Sequence, residues 1–256
     1  MTNRIGFIGS GHLASYTIAG LRRAGDERGI VLSPRNAEKA AQLAIDYNCQ
    51  VASSNQALVD VSDIVILAVR PPAAMAVLSE LRFRPQQTLV SVVAGIEVSQ
   101  LRDTISADVS ICRSLIVSSA AYNQGAISLY PNHHQVADLL APLGEVVILD
   151  TEKEFDLSLA VMCANGWMYT LVAALEQPMI AAGMPAEPAR RLLVQSIIGT
   201  MAHISEESNM DLAQVTQGIA TTGTFTKLGL DILQQQGAFG PWQEAVQTLL
   251  MAQNND

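Results

Sequence analysis

The stretch from Arg4 to Leu21, RIGFIGSGHLASYTIAGL, leaves this chain few folds to choose from. Its opening run, Ile5-Gly6-Phe7-Ile8, is too short for a helix and bulky enough for a buried strand. The run stops at Gly9-Ser10-Gly11, after which Leu13, Ala14, Ile18 and Leu21 recur at helical spacing. Strand, glycine turn and helix in that order are the context in which a G-x-G-x-x-(G/A) match carries weight. Gly9 permits the tight turn, Gly11 lets a pyrophosphate reach the backbone, and Ala14 lets the helix lie close to the strand. The free N–H groups at the start of that helix then face the phosphates with the positive end of its dipole.

The length of 256 residues suffices for one large or two modest domains. A chain that is 49% hydrophobic and only 5% aromatic needs an aliphatic, alanine-rich core, which suits helices packed on a parallel sheet. The net charge of −9 argues against nucleic acid as a partner. Cys49, Cys112 and Cys163 are odd in number and widely spaced, and read as buried thiols of a reducing compartment. No histidine or cysteine spacing points to a metal. There is no signal-peptide pattern, and the apolar stretches break short of the ~18 residues of a membrane span. These features predict a soluble cytoplasmic protein.

Ile30-Val31-Leu32 reads as the second strand, and the residues after it bear on the cofactor. An NAD site expects an acid there for the ribose hydroxyl. This chain has Ser33-Pro34-Arg35-Asn36, which lacks the acid and supplies donors, with Arg35 able to grip a phosphate through two parallel hydrogen bonds. The expected cofactor is therefore NADP. A polar turn that caps the helix starting near Ala37 is the other reading, and the two are compatible. Helix is expected over Glu38 to Tyr47, and strands over Val51-Ala52, Asp63 to Val69, Leu89 to Ile96, Val109 to Ile116, Ala126 to Tyr130 and Gly144 to Leu149. Arg70-Pro71-Pro72 ends one central strand, and Ala94-Gly95 leaves room for a flat ring at the end of another. Residues 1–150 thus form a doubly wound domain.

The texture changes after Thr151 to purely helical patterns over 151–256. Phe155 to Gly183 is one long, almost wholly apolar helix that a partner subunit is expected to cover. Arg190 to Ser208, Asp211 to Gln217, Lys227 to Gln236 and Pro241 to Gln253 follow as helices, with a hydroxyl-rich turn at Gly218 to Thr226.

GFIGSGHLA, the turn at Ser33 to Asn36, ILAVRP, SVVAGI, GEVVILD and AAGMPAEPARRL resemble the pyrroline-5-carboxylate reductase family in order and spacing, over nearly the whole length. The resemblance implies a Rossmann-like domain followed by an all-α dimerisation domain, and NADPH-dependent reduction of a cyclic imine to proline. It implies that Gly9, Ser10, Gly11, His12 and Leu13 hold the pyrophosphate and that Ser33, Arg35 and Asn36 hold the 2′-phosphate. Ala68, Val69, Arg70, Pro71 and Ala94 would flank the path from adenosine to nicotinamide.

The departures from the family pattern gather on the substrate side. Leu115-Ile116-Val117-Ser118-Ser119 stands where the family has M-P-N-T-P, and Cys163-Ala164-Asn165-Gly166-Trp167-Met168-Tyr169 where it has S-G-S-G-P-A-Y. Thr221-Thr222-Gly223-Thr224-Phe225-Thr226 replaces the carboxylate-holding S-P-G-G-T-T, with Gly223 and Thr226 aligned and Thr222 or Thr224 able to replace lost hydroxyls. Candidate substrate-side residues are Gly223, Thr224, Thr226, Asn165 and Tyr169. Against each stands a plainer role: threonines capping the next helix, Tyr169 in the core, Asn165 fixing helix pairing, Lys227 as a solvated charge and His133-His134 in a solvated turn. Three functions stay open: a reductase of pyrroline-5-carboxylate or a related imino acid, a reductase of the same fold with another partner, and a nucleotide-binding regulatory dimer without catalysis.

Overall fold

In the computed structural model of the protein, residues 4–207 and 209–253 are described. The first strand, β1 (Ile5–Ile8), leads through the glycine turn into α1 (His12–Arg23), and β2 (Ile30–Leu32) into α2 (Ala37–Tyr47). The short β3 (Gln50–Val51) precedes α3 (Asn55–Val61), β4 (Ile64–Leu67) precedes α4 (Pro71–Ser79), and β5 (Thr88–Ser91) precedes α5 (Val98–Thr104). Next come β6 (Ser110–Leu115), a 3-10 turn at Ser118–Tyr122, β7 (Ala126–Tyr130), α6 (His134–Leu140) and β8 (Glu145–Ile148). The eight strands lie in the order β3-β2-β1-β4-β5-β6-β7-β8. All neighbours are parallel except the antiparallel pair β6–β7. The order reverses between β1 and β4, and an open sheet leaves its ligand crevice at the carboxyl ends of the strands on either side of such a switch.

The apolar runs are continuous because the sheet is covered on both faces. Ile64 and Ile66 of β4 pack into one core cluster with Ile5, Phe7, Ile18 and Leu21. Val65 and Leu67, alternating with them, pack into the other with Ile8, Val31 and Leu58. Burial pushes the Cys112 thiol up to about 12, which removes it as a nucleophile at neutral pH. All three cysteines are free, with Cys112 buried and Cys49 and Cys163 only partly so.

Several boundaries differ from the sequence expectation. The strand predicted over Leu89 to Ile96 ends at Ser91, and the chain turns at Ala94-Gly95, where Gly95 takes φ +75°. Predicted strands at Asp63 to Val69 and Val109 to Ile116 are likewise trimmed to β4 and β6. The two adjacent histidines are not a solvated pair: His133 is partly buried, its Nδ1 buried without a partner among the described residues, while His134 is exposed.

The helical half comprises α7 (Glu152–Ala181), α8 (Ala186–Glu206), α9 (Leu212–Ile219), α10 (Phe225–Gln235) and α11 (Gly240–Gln253). The chain parts into two compact units between Met162 and Cys163, inside α7. The first turns of α7 go with the sheet because Phe155 and Ala160 are buried there. Beyond them the apolar side chains are open: Val161, Met168, Tyr169 and Leu175 on α7, Ile198 and Met201 on α8, Leu228 and Ile232 on α10. Tyr169 is therefore not a core residue of this chain. Glu176 is a buried polar exception, accepting hydrogen bonds from Arg190 Nε and Nη2 at 2.8 and 2.6 Å that hold its carboxyl below the usual carboxylate range. Among the described residues α7 is the one helix long and apolar enough to cross a membrane by length and composition. The expectation that every apolar stretch breaks short of such a length fails for this helix.

Within α1, Gly20 is held against the 3-10 turn: a Cβ there would meet the Ala120 carbonyl oxygen at 2.1 Å and Leu143 Cδ2 at 2.6 Å. Asn123 Nδ2 closes the contact by donating to the Gly20 and Pro142 carbonyls at 2.9 and 2.7 Å. Gly20→Ala is expected to lower stability by about 1–3 kcal/mol through overpacking, in spite of alanine's better helix propensity. A lowered urea midpoint is the readout, and an unchanged or raised midpoint would contradict this packing.

Candidate dinucleotide site and substrate turn

The glycine turn works through what it lacks. Gly9 has φ +105°, and a Cβ on it would stand 2.5 Å from the Ala68 carbonyl oxygen, so the turn after β1 lies directly on the end of β4. The Gly9 N–H donates to Ser33 Oγ at 2.9 Å, which ties the same turn to the end of β2. Gly11 precedes α1 with extended backbone and no side-chain cap, and a Cβ there would meet nothing within 4 Å. The first amide to reach back along the helix is that of Ser15, to the Gly11 carbonyl at 3.0 Å. The amides before it have no helical partner, and no acidic side chain occupies the first turn. Ser10 Oγ is buried with no partner among the described residues. An uncapped helix start, an orphaned hydroxyl and open space at Gly11 are what a pyrophosphate requires. Leu13 packs on the core and Ala14 is buried, so any part they take is through the backbone, while His12 is exposed and stacks on Tyr16 at 6.3 Å.

The residues after β2 do two jobs. Ser33 is buried and serves as the latch just described, with its hydroxyl proton left for one further acceptor. Asn36 caps α2, accepting from the Lys39 amide at 3.3 Å, so the capping reading holds at that position. Arg35 is exposed and lines a cavity of about 590 Å³ with Pro34, Ser53, Ser54, Asn55 and Glu80. In the sequence Ser53-Ser54-Asn55 reads as a helix cap, which Ser54 supplies, and Asn55 carries no further role. Its Oδ1 is buried without a partner among the described residues, beside the one cation that lines this cavity. The signal was available in principle, since Ser53-Ser54-Asn55 follows the strand that pairs with β2 and so stands next to Arg35 at the sheet edge.

Ala68 and Val69 are partly buried at the end of β4, and Arg70 and Pro71 are exposed at the start of α4. Ala94 is partly buried in the loop after β5. These positions border the same crevice. A cavity of about 720 Å³ lies at the opposite, amino end of β1 and β2, around Arg4, Arg22, Asp26 and Arg28. Two of its cations are engaged: Arg22 donates to the Tyr47, Asp26 and Arg28 carbonyls, and Arg28 pairs with Asp26.

In the helical unit the turn before α10 is built around Gly223, at φ +89°. Thr224 caps α10: its Oγ1 accepts from the Lys227 amide at 3.1 Å and donates to the Thr221 carbonyl at 2.8 Å. That hydroxyl is spent on the turn, which removes Thr224 as a replacement substrate donor. Thr226 is exposed and Phe225 is 92% exposed. The turn lines a cavity of about 400 Å³ with Lys227 and Asp231, which form an ion pair. Lys227 is thus a paired charge. Asn165 and Tyr169 sit one turn apart on α7, both exposed. Trp167 and Trp242 meet edge to face at 6.0 Å and line a separate apolar cavity of about 280 Å³ with Pro241 and Ala245. Among the described residues no group of His, Cys, Asp and Glu side chains is placed to hold a metal ion.

Comparison with known proteins agrees with both halves. Residues 4–95 match a family described as NADP oxidoreductase, coenzyme F420-dependent, and residues 152–254 match pyrroline-5-carboxylate reductase dimerisation. The helical unit is thus of an oligomerising kind. The pyrroline-5-carboxylate reductase of Pseudomonas aeruginosa is 30% identical over 92% of this chain and 90% of its own. The solved reductase of Streptococcus pyogenes has the same fold at a TM-score of 0.87 and 24% identity, covering 99% of both chains. That of Plasmodium falciparum, solved with NADP bound, does so at 0.86 and 20% identity over 98% of this chain and 97% of its own. The uncapped glycine turn at a topological switch, the all-helical second unit and this full-length likeness together place the chain in the pyrroline-5-carboxylate reductase family.

Proposed function

We propose that this protein is an NADPH-dependent reductase of a cyclic imino acid, pyrroline-5-carboxylate or a near relative, working as a cytoplasmic homodimer. The observation that carries the reading is the likeness to the P. aeruginosa enzyme across 92% of the chain. We assign cofactor binding to residues 1–150, and substrate holding and dimerisation to 151–256. Open apolar side chains along α7, α8 and α10 favour a second copy over a membrane as the cover for α7, because the same segment matches a dimerisation family. Three free cysteines suit a reducing compartment.

Bound NADPH supplies the hydride; the protein's work is to bind, orient and exclude water. The amides of His12, Leu13 and Ala14 and the Ser10 hydroxyl take the pyrophosphate. Arg35 takes the 2′-phosphate, with Ser33 and Asn55 beside it. Ala68 to Pro71 and Ala94 frame the reacting ring. On the substrate side, Gly223 and the amides of Phe225 and Thr226 receive a carboxylate, with the Thr226 hydroxyl at hand for the imine nitrogen. Asn165 and Tyr169 are the candidates for further hydrogen bonds from α7. An imine that arrives protonated needs no strong general acid, which agrees with a turn whose lysine is already paired to Asp231.

Purified protein is expected to oxidise NADPH with pyrroline-5-carboxylate at ordinary enzyme rates, roughly 1–10³ per second. Tight NADPH binding without oxidation would sink the proline-forming assignment and favour the regulatory reading. Arg35→Ser is expected to weaken NADPH binding by about tenfold or more, the worth of a charge-assisted hydrogen bond, and to leave NADH binding nearly unchanged. Equal losses for both nucleotides in a binding titration would remove Arg35 from the 2′-phosphate. Sedimentation at micromolar concentration is expected to give at least twice the 27.3 kDa mass of the chain; a stable monomer would contradict the dimer.

A further inference from the structure

We propose that Arg113 and Glu152 are positioning residues for hydride transfer, which together fix the loop Val92 to Glu97 at the carboxyl end of β5. The proposal rests on the imine-reductase reading. Arg113, on β6, is 1% exposed. Its Nη1 donates to Glu152 Oε1 at 2.7 Å and its Nη2 lies 2.8 Å from Asp156 Oδ1, with the guanidinium 4.5 Å above the Phe155 ring. Glu152 Oε1 also accepts from the Val98 amide at 2.8 Å. Val98 is the first residue of α5 and follows the loop directly.

The loop is therefore clamped at both ends. At its far end Val98 hangs on Glu152, next to a capping box in which the Glu97 amide donates to Gln100 Oε1 at 2.9 Å. At its near end Ser91, the last residue of β5, lies in register with Arg113 itself. Between the clamps the loop carries Ala94 and the left-handed Gly95, and a loop at this end of an open sheet borders the ligand crevice. Arg113 thus ties β6, whose backbone pairs with β5, to the first turns of α7, and Glu152 carries that tie on to the start of α5.

Stability alone does not explain such a group. A buried ion pair is often matched or bettered when all its members are replaced by apolar side chains of similar volume. Arg113 carries a further burden, since its Nε and the neighbouring Ser114 Oγ are buried without partners among the described residues. What the charged cluster supplies, and a methionine would not, is direction: three elements held at fixed hydrogen-bond distances. Hydride transfer is steeply sensitive to that kind of placement, a shift of about 1 Å costing on the order of 10²-fold. The phosphates and the adenosine, by contrast, are held by loops after β1, β2 and β3 that this cluster does not touch.

The test compares Arg113→Met, Glu152→Ala and Glu152→Gln with the wild-type protein, by hydrogen exchange of the 92–98 amides, thermal unfolding, NADPH titration and steady-state reduction of pyrroline-5-carboxylate. Arg113→Met leaves Glu152 and Asp156 without their cation and is expected to lower the melting temperature, while well below that temperature it keeps NADPH affinity, speeds exchange in the loop and lowers kcat by about tenfold or more. Glu152→Gln keeps an acceptor for the Val98 amide and is expected to recover part of what Glu152→Ala loses. Unchanged exchange in the loop, unchanged kcat in a loosened loop, or a kcat loss that merely tracks melting temperature would each overturn the proposal. Wild-type protein that binds NADPH and reduces no imine removes the imine-reductase reading and the positioning role with it. Normal wild-type turnover with unaffected variants removes the positioning role alone.

Discussion

The structure turns on the approach of Gly9 to the end of β4. With 2.5 Å between the place of a Cβ and the Ala68 carbonyl oxygen, only glycine lets the first turn rest there, and its positive φ excludes most other residues independently. The Gly9 N–H on Ser33 Oγ draws the end of β2 into the same point. Three strands thus finish together at the place where the sheet reverses its order. The start of α1 is aimed into the resulting crevice with its amides uncapped. A larger side chain at Gly9 would push the turn outward and take the helix start with it. The site is therefore a consequence of how the sheet is connected, and its polar groups are mostly backbone.

The helical unit obeys the opposite logic. Its helices are amphipathic or apolar, and among the described residues α9 and α10 contribute no buried side chains within this chain. Exposed leucine, isoleucine, methionine and phenylalanine on several helices exceed what a soluble monomer keeps open. Such a surface is an unfinished core, and oligomerisation of the kind its family match describes is how a unit like this completes one. The long helix α7 joins the two regimes: Phe155 is buried on the sheet side, and Val161 and Tyr169 further along are not.

Much of the first unit was legible because buried parallel strands write themselves as apolar runs and glycine turns as gaps between them. The end of β5 was misjudged because Val92 and Val93 continue the apolar composition past Ser91, while the left-handed turn at Gly95 that follows is a conformational fact, not a compositional one. The further roles of Asn55, read only as part of a helix cap, and of Arg113 were hidden for a different reason. Each matters through groups far away in the chain, Asn55 through Arg35 and Arg113 through Glu152, and periodicity carries no record of such pairings. In the helical unit the helices were readable, but exposure was not. A sequence shows that a residue is apolar and does not show whether its own chain or another covers it.

The same contrast explains why the cofactor half keeps the family pattern while the substrate turn departs from it. Recognition by backbone amides needs only that the turn and the helix start be in place, so side chains there are free to change as long as the geometry survives. Gly223 keeps the left-handed bend, and Thr224, where the family has glycine, stabilises the start of α10 by a cap. The cap consumes the hydroxyl and leaves the amides of Phe225 and Thr226 as they were. On the substrate role proposed for this turn, backbone recognition of a carboxylate is retained, and what has been rewritten is the part of the turn that side chains supply. Phe225, an almost fully exposed ring lining the cavity beside the turn, is the bulkiest of those changes.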